Sequence, residues 1–258
     1  MCIFASVLLL PEPGLYRLRV IMPDNAPSTS RLKKYHSMKD YLLFSILMMV
    51  CLPDMFAQTF KFGTSRSLYG ETCEIDSRGF IVNGRRVLAV MGEIHYARLP
   101  KDEWRREIRK MKAGGVTMVA TYCFWIHHEE HEGVWNWEGS RDLRSFISIC
   151  RDERMPVVLR IGPFCHGEVY QGGMPEWIVR KSMSDKKNYK LRSEAPGFIS
   201  AVENLYRNIF AQIDGYLWKQ GGPIVGVQIE NECRGPWSYY MKLKEIAVSA
   251  GFDVPFYT

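Results

Sequence analysis

None of the seven cysteines (Cys2, Cys51, Cys73, Cys123, Cys150, Cys165 and Cys233) forms a Cys-x-x-Cys pair, and no Cys/His cluster has zinc-finger spacing. A metal is therefore not expected, and the cysteines read as small buried hydrophobes. No strand-like run leads into G-x-G-x-x-G or G-x-x-x-x-G-K-[ST], so a nucleotide-binding sheet has no support. Internal repeats and low-complexity tracts are absent as well. The net charge is +6, but it is not a basic stripe. Arg17, Arg19, Arg31, Lys33, Lys34 and Lys39 supply much of it near the N-terminus, and the remaining charges are mixed in sign. Nucleic acid is not an expected partner.

The chain has 258 residues, 47% hydrophobic and 24% charged, as in ordinary globular proteins. That length can hold one α/β barrel of about 250 residues. Aromatics reach 13% with seven Trp, which suits a sugar-binding cleft and a large core equally.

Met38-Lys39-Asp40 followed by an apolar run over 41–52, Pro53 and Ala57 reads as a secretory signal over 38–57. The run falls short of the about 20 residues needed to span a membrane. Residues 1–37 carry no clear periodic pattern and read as an extension upstream of the true start, Met38. The expected location is secreted or periplasmic, and the domain proper is expected over 58–258.

Short alternating strands at 72–76 and 79–82 with an Asn83-Gly84 turn open that domain. Apolar strand-like runs then recur at 87–94, 116–125, 156–164 and 224–229, with a fifth starting at Val254. Helical faces fall between them: Trp104, Ile108 and Met111; Leu143, Phe146, Ile147 and Cys150; and the stretches 201–218 and 239–250. Strands apolar on both faces that alternate with helices predict a parallel sheet. The fold class is α/β, and four units with the opening of a fifth fit an open doubly wound sheet or half of a (β/α)8 barrel.

The strand ends are polar. They read Gly92-Glu93-Ile94-His95-Tyr96, then Thr121-Tyr122 through Trp125 with His127, His128, Glu129 and Glu130, then Arg160 through Glu168, and finally Gln228-Ile229-Glu230-Asn231-Glu232. In a barrel these ends converge on the face that carries chemistry. If extended geometry continues, Glu230 and Glu232 point the same way. A bulge would instead bring Asn231 and Glu232 into the cleft together, and spacing alone does not decide between the two.

Gly221-Gly-Pro-Ile-Val-Gly-Val-Gln-Ile-Glu-Asn-Glu232 resembles the GGPI-x-x-x-QIENE signature of glycoside hydrolase family 35, the retaining β-galactosidases. The other strand ends agree in order, over roughly 73–258: Gly92 to Tyr96 with Arg98 and Pro100, Thr121-Tyr122 with Trp125, His128-Glu129 and Gly133, Arg141-Asp-Leu143, and Arg160-Ile-Gly-Pro163 with Glu168 and Gly172-Gly173. The resemblance implies a (β/α)8 barrel of which this chain holds the first four to five units. It implies Glu232 as acid/base, Asn231 as partner of the sugar 2-hydroxyl, and Tyr122 and Glu168 as holders of galactose hydroxyls. An acid must keep its proton near neutral pH, so Glu232 calls for an apolar or like-charged setting. Glu230 reads as a structural neighbour.

Ile126, Glu130, Cys233-Arg234, Phe164-Cys165-His166 and Val169 depart from the family pattern around the cleft. They leave the exact sugar open, an amino sugar as for an exo-β-glucosaminidase included. The implied reaction is release of terminal β-linked galactose from oligo- or polysaccharides, without a cofactor. It needs two carboxyl groups about 5–5.5 Å apart. Family nucleophiles lie on a late strand, while Glu93, Glu129 and Glu168 match other positions. The nucleophile is thus expected to be absent, and the chain to be an inactive fragment by itself. Rival readings are a non-catalytic carbohydrate-binding relative and another barrel hydrolase with an Asn-Glu motif.

Overall fold

The computed structural model describes 6–12, 15–21 and 66–258 apart from Ser77. The signal expected at 38–57 lies outside these residues. The chain divides into two units, 1–59 and 60–258. In the first, strands β1 (Ser6–Glu12) and β2 (Leu15–Ile21) pair antiparallel, with Ser6 opposite Ile21. Sequence periodicity did not signal this hairpin.

In the second unit, β3 (Cys73–Asp76), β4 (Gly79–Val82) and β5 (Arg85–Val87) form a small antiparallel sheet. Asn83 and Gly84 turn between β4 and β5 with φ of 50° and 72°, the left-handed values an Asn-Gly turn accommodates. The predicted strand over 87–94 is in fact divided. Val87 ends β5, and the parallel sheet begins only at β6 (Met91–Glu93).

Four more parallel strands follow: β7 (Met118–Tyr122), β8 (Val157–Arg160), β9 (Ile224–Gln228) and β10 (Phe256–Tyr257). Each pairs with the strand before it in sequence, giving the order β6-β7-β8-β9-β10. A doubly wound sheet reverses its strand order at a switch point; this one never does, which is the winding of a barrel.

The helices between strands form where apolar residues recur every three or four positions. Helix α1 (Trp104–Ala113) buries Trp104 and Ile108. Helix α2 (Leu143–Asp152) buries Leu143, Phe146, Ile147 and Cys150, the face expected from sequence. Its N-cap is Asp142, whose Oδ1 accepts from the Ser145 amide at 2.9 Å. Helix α3 (Glu176–Ser184) buries little beyond Ile178 and Val179, so its period is faint in the sequence.

Helix α4 (Pro196–Ile213) starts earlier and ends earlier than the expected 201–218. Pro196 supplies the pre-set φ of a first helical residue. Gly197 lets the helix approach the preceding turn, because a Cβ there would stand 2.7 Å from the Tyr189 ring. Helix α5 (Trp237–Ala250) stops at Gly251, with φ of 116° and its amide bonded back to Ala247 and Val248.

The central strands β7 to β9 are buried on both faces, while Met91 of β6 and Tyr257 of β10 at the sheet's edges are exposed. Val119, Val157, Leu159 and Val227 pack into the main core with the helices. Met118, Ala120, Val158 and Val225 face Cys73, with Phe80 and Val82 of the small sheet against them. Among the described residues, no helix is long and apolar enough to cross a membrane.

Candidate active site

The carboxyl ends of β6 to β9 bring a polar cluster together around Asn231. Arg160, the last residue of an otherwise apolar β8, is its hub. Its Nη1 donates to Glu93 at the end of β6, its Nε to Gln228 at the end of β9, and its Nη2 to Asn231 Oδ1 at 2.9 Å. The guanidinium lies 3.6 Å from the centre of the Tyr122 ring, a cation–π contact. Burial pushes the Tyr122 hydroxyl up, with Arg160 opposing. That hydroxyl lies 3.4 Å from Asn231 Oδ1. Glu93 also meets His95 Nε2 at 3.1 Å. Burial lowers the pKa of His95, and Glu93 partly offsets this.

Glu230 and Glu232 are separated by backbone geometry. Strand β9 ends at Gln228, and both glutamates take left-handed φ values, 59° and 48°. Extended alternation therefore stops before them. Glu230 turns inward, where its side chain is fully buried. Arg192 donates to its Oε2 from Nη2 at 2.7 Å and Nε at 3.1 Å, and the Tyr239 hydroxyl donates to Oε1 at 2.6 Å. Both the Glu230 amide and the Tyr206 hydroxyl donate at 2.8 Å to the Gly162 carbonyl, tying the turn after β9 to the turn after β8. Glu232 is exposed. The apolar setting that an acid calls for is not built around it by the described residues.

Of the residues expected from sequence, Tyr122 and Asn231 meet directly. Glu168 is exposed on the turn after β8, with φ of 49°, and its charge acts on His95, whose ring stacks 5.3 Å from that of Tyr122. His166, Glu168, Arg192, Glu230 and Glu232 all take left-handed φ at this end of the sheet, and such residues gather at functional sites. Sequence reading gave no role to Arg160, Glu93, His95, Gln228 or Arg192. The available signal was a lone arginine closing the run Val157-Val-Leu-Arg160.

His128 and Glu129 are structural. The carbonyl of Asn136 can only accept, so His128 Nδ1 carries the proton, at 3.0 Å, and Nε2 accepts from the Tyr96 hydroxyl at 2.7 Å. Glu129 accepts from Trp125 Nε1 at 2.6 Å and from the Gly133 amide at 2.8 Å. Burial lowers the His128 pKa from 6.5 to about 3. The unfolded chain thus binds a proton near pH 6.5 that the folded chain refuses until about pH 3. Stability is full above the higher value and is lost as pH falls between them, by up to about 1.4 kcal/mol per pH unit. His128→Asn is expected to flatten the slope of unfolding free energy against pH in that window. An unchanged slope in urea titrations would refute this.

Consecutive parallel strands with polar side chains gathered at their carboxyl ends define the class of β/α-barrel proteins. Among solved structures, the chain resembles the exo-β-1,4-mannosidase Op5Man5 from Opitutaceae bacterium strain TAV5, with a TM-score of 0.50 at 14% identity. That match covers 76% of this chain and 32% of the other, and it speaks to the fold alone. Within that class, the chain belongs to the glycosyl hydrolases of family 35, whose pattern matches residues 79–254. It is 34% identical over 175 residues to a β-galactosidase of Bos taurus, covering 66% of this chain and 26% of the relative. It is 35% identical over 167 residues to β-galactosidase 11 of Oryza sativa subsp. japonica, covering 63% and 19%. The chain thus spans about a quarter or less of the length of these curated relatives.

Proposed function

We propose that this chain carries the acid/base side of a retaining glycoside hydrolase that releases terminal β-linked galactose from oligo- or polysaccharides. The observation that carries the proposal is the Asn231 cluster. Family membership points to sugar chemistry, and the cluster holds a buried amide beside an exposed carboxylate at the strand ends. In this reading Glu232 gives its proton to the leaving oxygen. Asn231 meets the sugar 2-hydroxyl, a contact that strengthens as positive charge develops at the anomeric carbon. Tyr122 and Glu168 hold further hydroxyls. General acid and nucleophile chemistry needs no cofactor.

The partner carboxylate of a retaining pair is not assigned among the described residues. Glu93 is engaged by Arg160 and His95, Glu129 by Trp125 and Gly133, and Glu230 by Arg192 and Tyr239. Glu168 is assigned to substrate hydroxyls. The polypeptide by itself is accordingly read as binding sugar without turning it over.

Titrating the labelled chain with methyl β-galactoside and methyl β-glucoside, which differ at one hydroxyl, tests the sugar. The galactoside is expected to shift the amide signals of Tyr122 and Asn231 at lower concentration. Asn231→Ala should weaken its binding roughly tenfold, the loss of one buried hydrogen bond. Equal binding of both sugars, or of neither, would refute the galactose reading.

A further inference from the structure

Three groups converge on one atom of Asn231. Its Oδ1 lies 2.9 Å from Arg160 Nη2, 3.3 Å from Gln228 Nε2 and 3.4 Å from the Tyr122 hydroxyl. A guanidinium offers only donors and keeps its proton. The amide atom that faces Arg160 must therefore be the oxygen, because a flipped amide would set one N–H against another. Nδ2 is then the amide atom that does not face Arg160. No acceptor among the described residues takes it, and it is not one of the buried side-chain atoms left without a partner. In this reading its N–H bonds are left for a ligand.

Arg160 is itself held on every side. Glu93 takes Nη1, Gln228 takes Nε, and the guanidinium lies over the Tyr122 ring. Only 15% of its side chain is exposed. A fork pinned this way cannot swing aside to let the amide turn.

We propose that Arg160 is a positioning residue that locks the Asn231 amide with its N–H outward, so that the cleft accepts a sugar with an oxygen acceptor at that position and refuses one with an ammonium there. The inference rests on the reading of Asn231 as partner of the sugar 2-hydroxyl. A hydroxyl oxygen has lone pairs to offer the amide, whereas an ammonium has only donors. Two donors face to face leave both unpaired and desolvated. The lock thus weighs against a 2-amino sugar, which the sequence leaves open.

The test compares galactose with 2-amino-2-deoxygalactose at mildly acidic pH, where the amine is charged, by NMR titration of the whole chain. Galactose is expected to bind at least about tenfold more tightly, since sites built to pair a hydroxyl reject analogues that cannot pair. Arg160→Lys, still only a donor, should keep the ratio. Arg160→Gln can accept as well as donate, permits the flip, and should bring the ratio to within about twofold. Comparable binding of both sugars to the unaltered chain, or a ratio that survives Arg160→Gln, would overturn the lock while leaving the galactose reading intact. If Arg160→Gln fails to fold, loss of the ratio in a folded Arg160→Lys chain would overturn it. Binding of neither sugar would instead defeat the reading of the cleft. Neutron diffraction from the deuterated chain then decides the lock: deuterons on the amide atom away from Arg160 support it, and deuterons on the facing atom overturn it.

Discussion

Arg192→Ala is expected to lower the unfolding free energy by about 3–5 kcal/mol, the cost of leaving one member of a buried ion pair without the other. Arg192 donates twice to Glu230 Oε2 and once to the Asn231 carbonyl, at 2.6 Å. Its guanidinium also sits 3.9 Å from the centre of the Phe164 ring. Glu230 is fully buried, so without Arg192 its carboxylate keeps, among the described residues, the Tyr239 hydroxyl and the Asn231 amide. Those two hydrogen bonds do not replace a neutralising charge. Removing both partners, as in Arg192→Met with Glu230→Leu, should cost much less than Arg192→Ala alone, because no charge is left stranded. Urea unfolding followed by tryptophan fluorescence measures both variants against the unaltered chain. A loss below about 1 kcal/mol for Arg192→Ala, the range of exposed pairs, would contradict this account.

The same pair explains which parts of the site were legible in sequence. The helix faces were, because burial of Leu143, Phe146, Ile147 and Cys150 follows from a period that sequence displays directly. The polar strand ends were too, since carboxylates, imidazoles and amides interrupt runs that are otherwise apolar. The roles of neighbouring carboxylates were not. Alternation in an extended strand puts Glu230 and Glu232 on one side, and they part only because both adopt left-handed backbone values after β9 has ended. No residue type at those positions signals such values; glycine would have. Arg160 was passed over for another reason: its partners come from β6, from β9 and from the turn after β9, and long-range convergence leaves no local spacing. Helix α3 was missed because only Ile178 and Val179 mark its buried side, too few to set a period.

Whether Glu232 acts as the acid, with the opposing carboxylate not supplied by these residues, can be put to one assay. The 258-residue chain is incubated with aryl β-galactosides, with and without azide. Azide takes the place of the nucleophile: its terminal nitrogen attacks the anomeric carbon from the face opposite the aryl group, the carbon–oxygen bond breaks, and the leaving oxygen receives its proton from Glu232. The product is α-galactosyl azide. The account predicts no turnover without azide and azide-dependent release with it. It further predicts that Glu232→Gln lowers release of a phenol, a poor leaving group, by about 10²–10⁴-fold, the usual worth of general acid help. Dinitrophenol, which leaves as its anion, should be released nearly as fast by that variant as by the unaltered chain. Turnover without azide at the rate of a full-length relative would contradict the account, as would equal loss for both leaving groups.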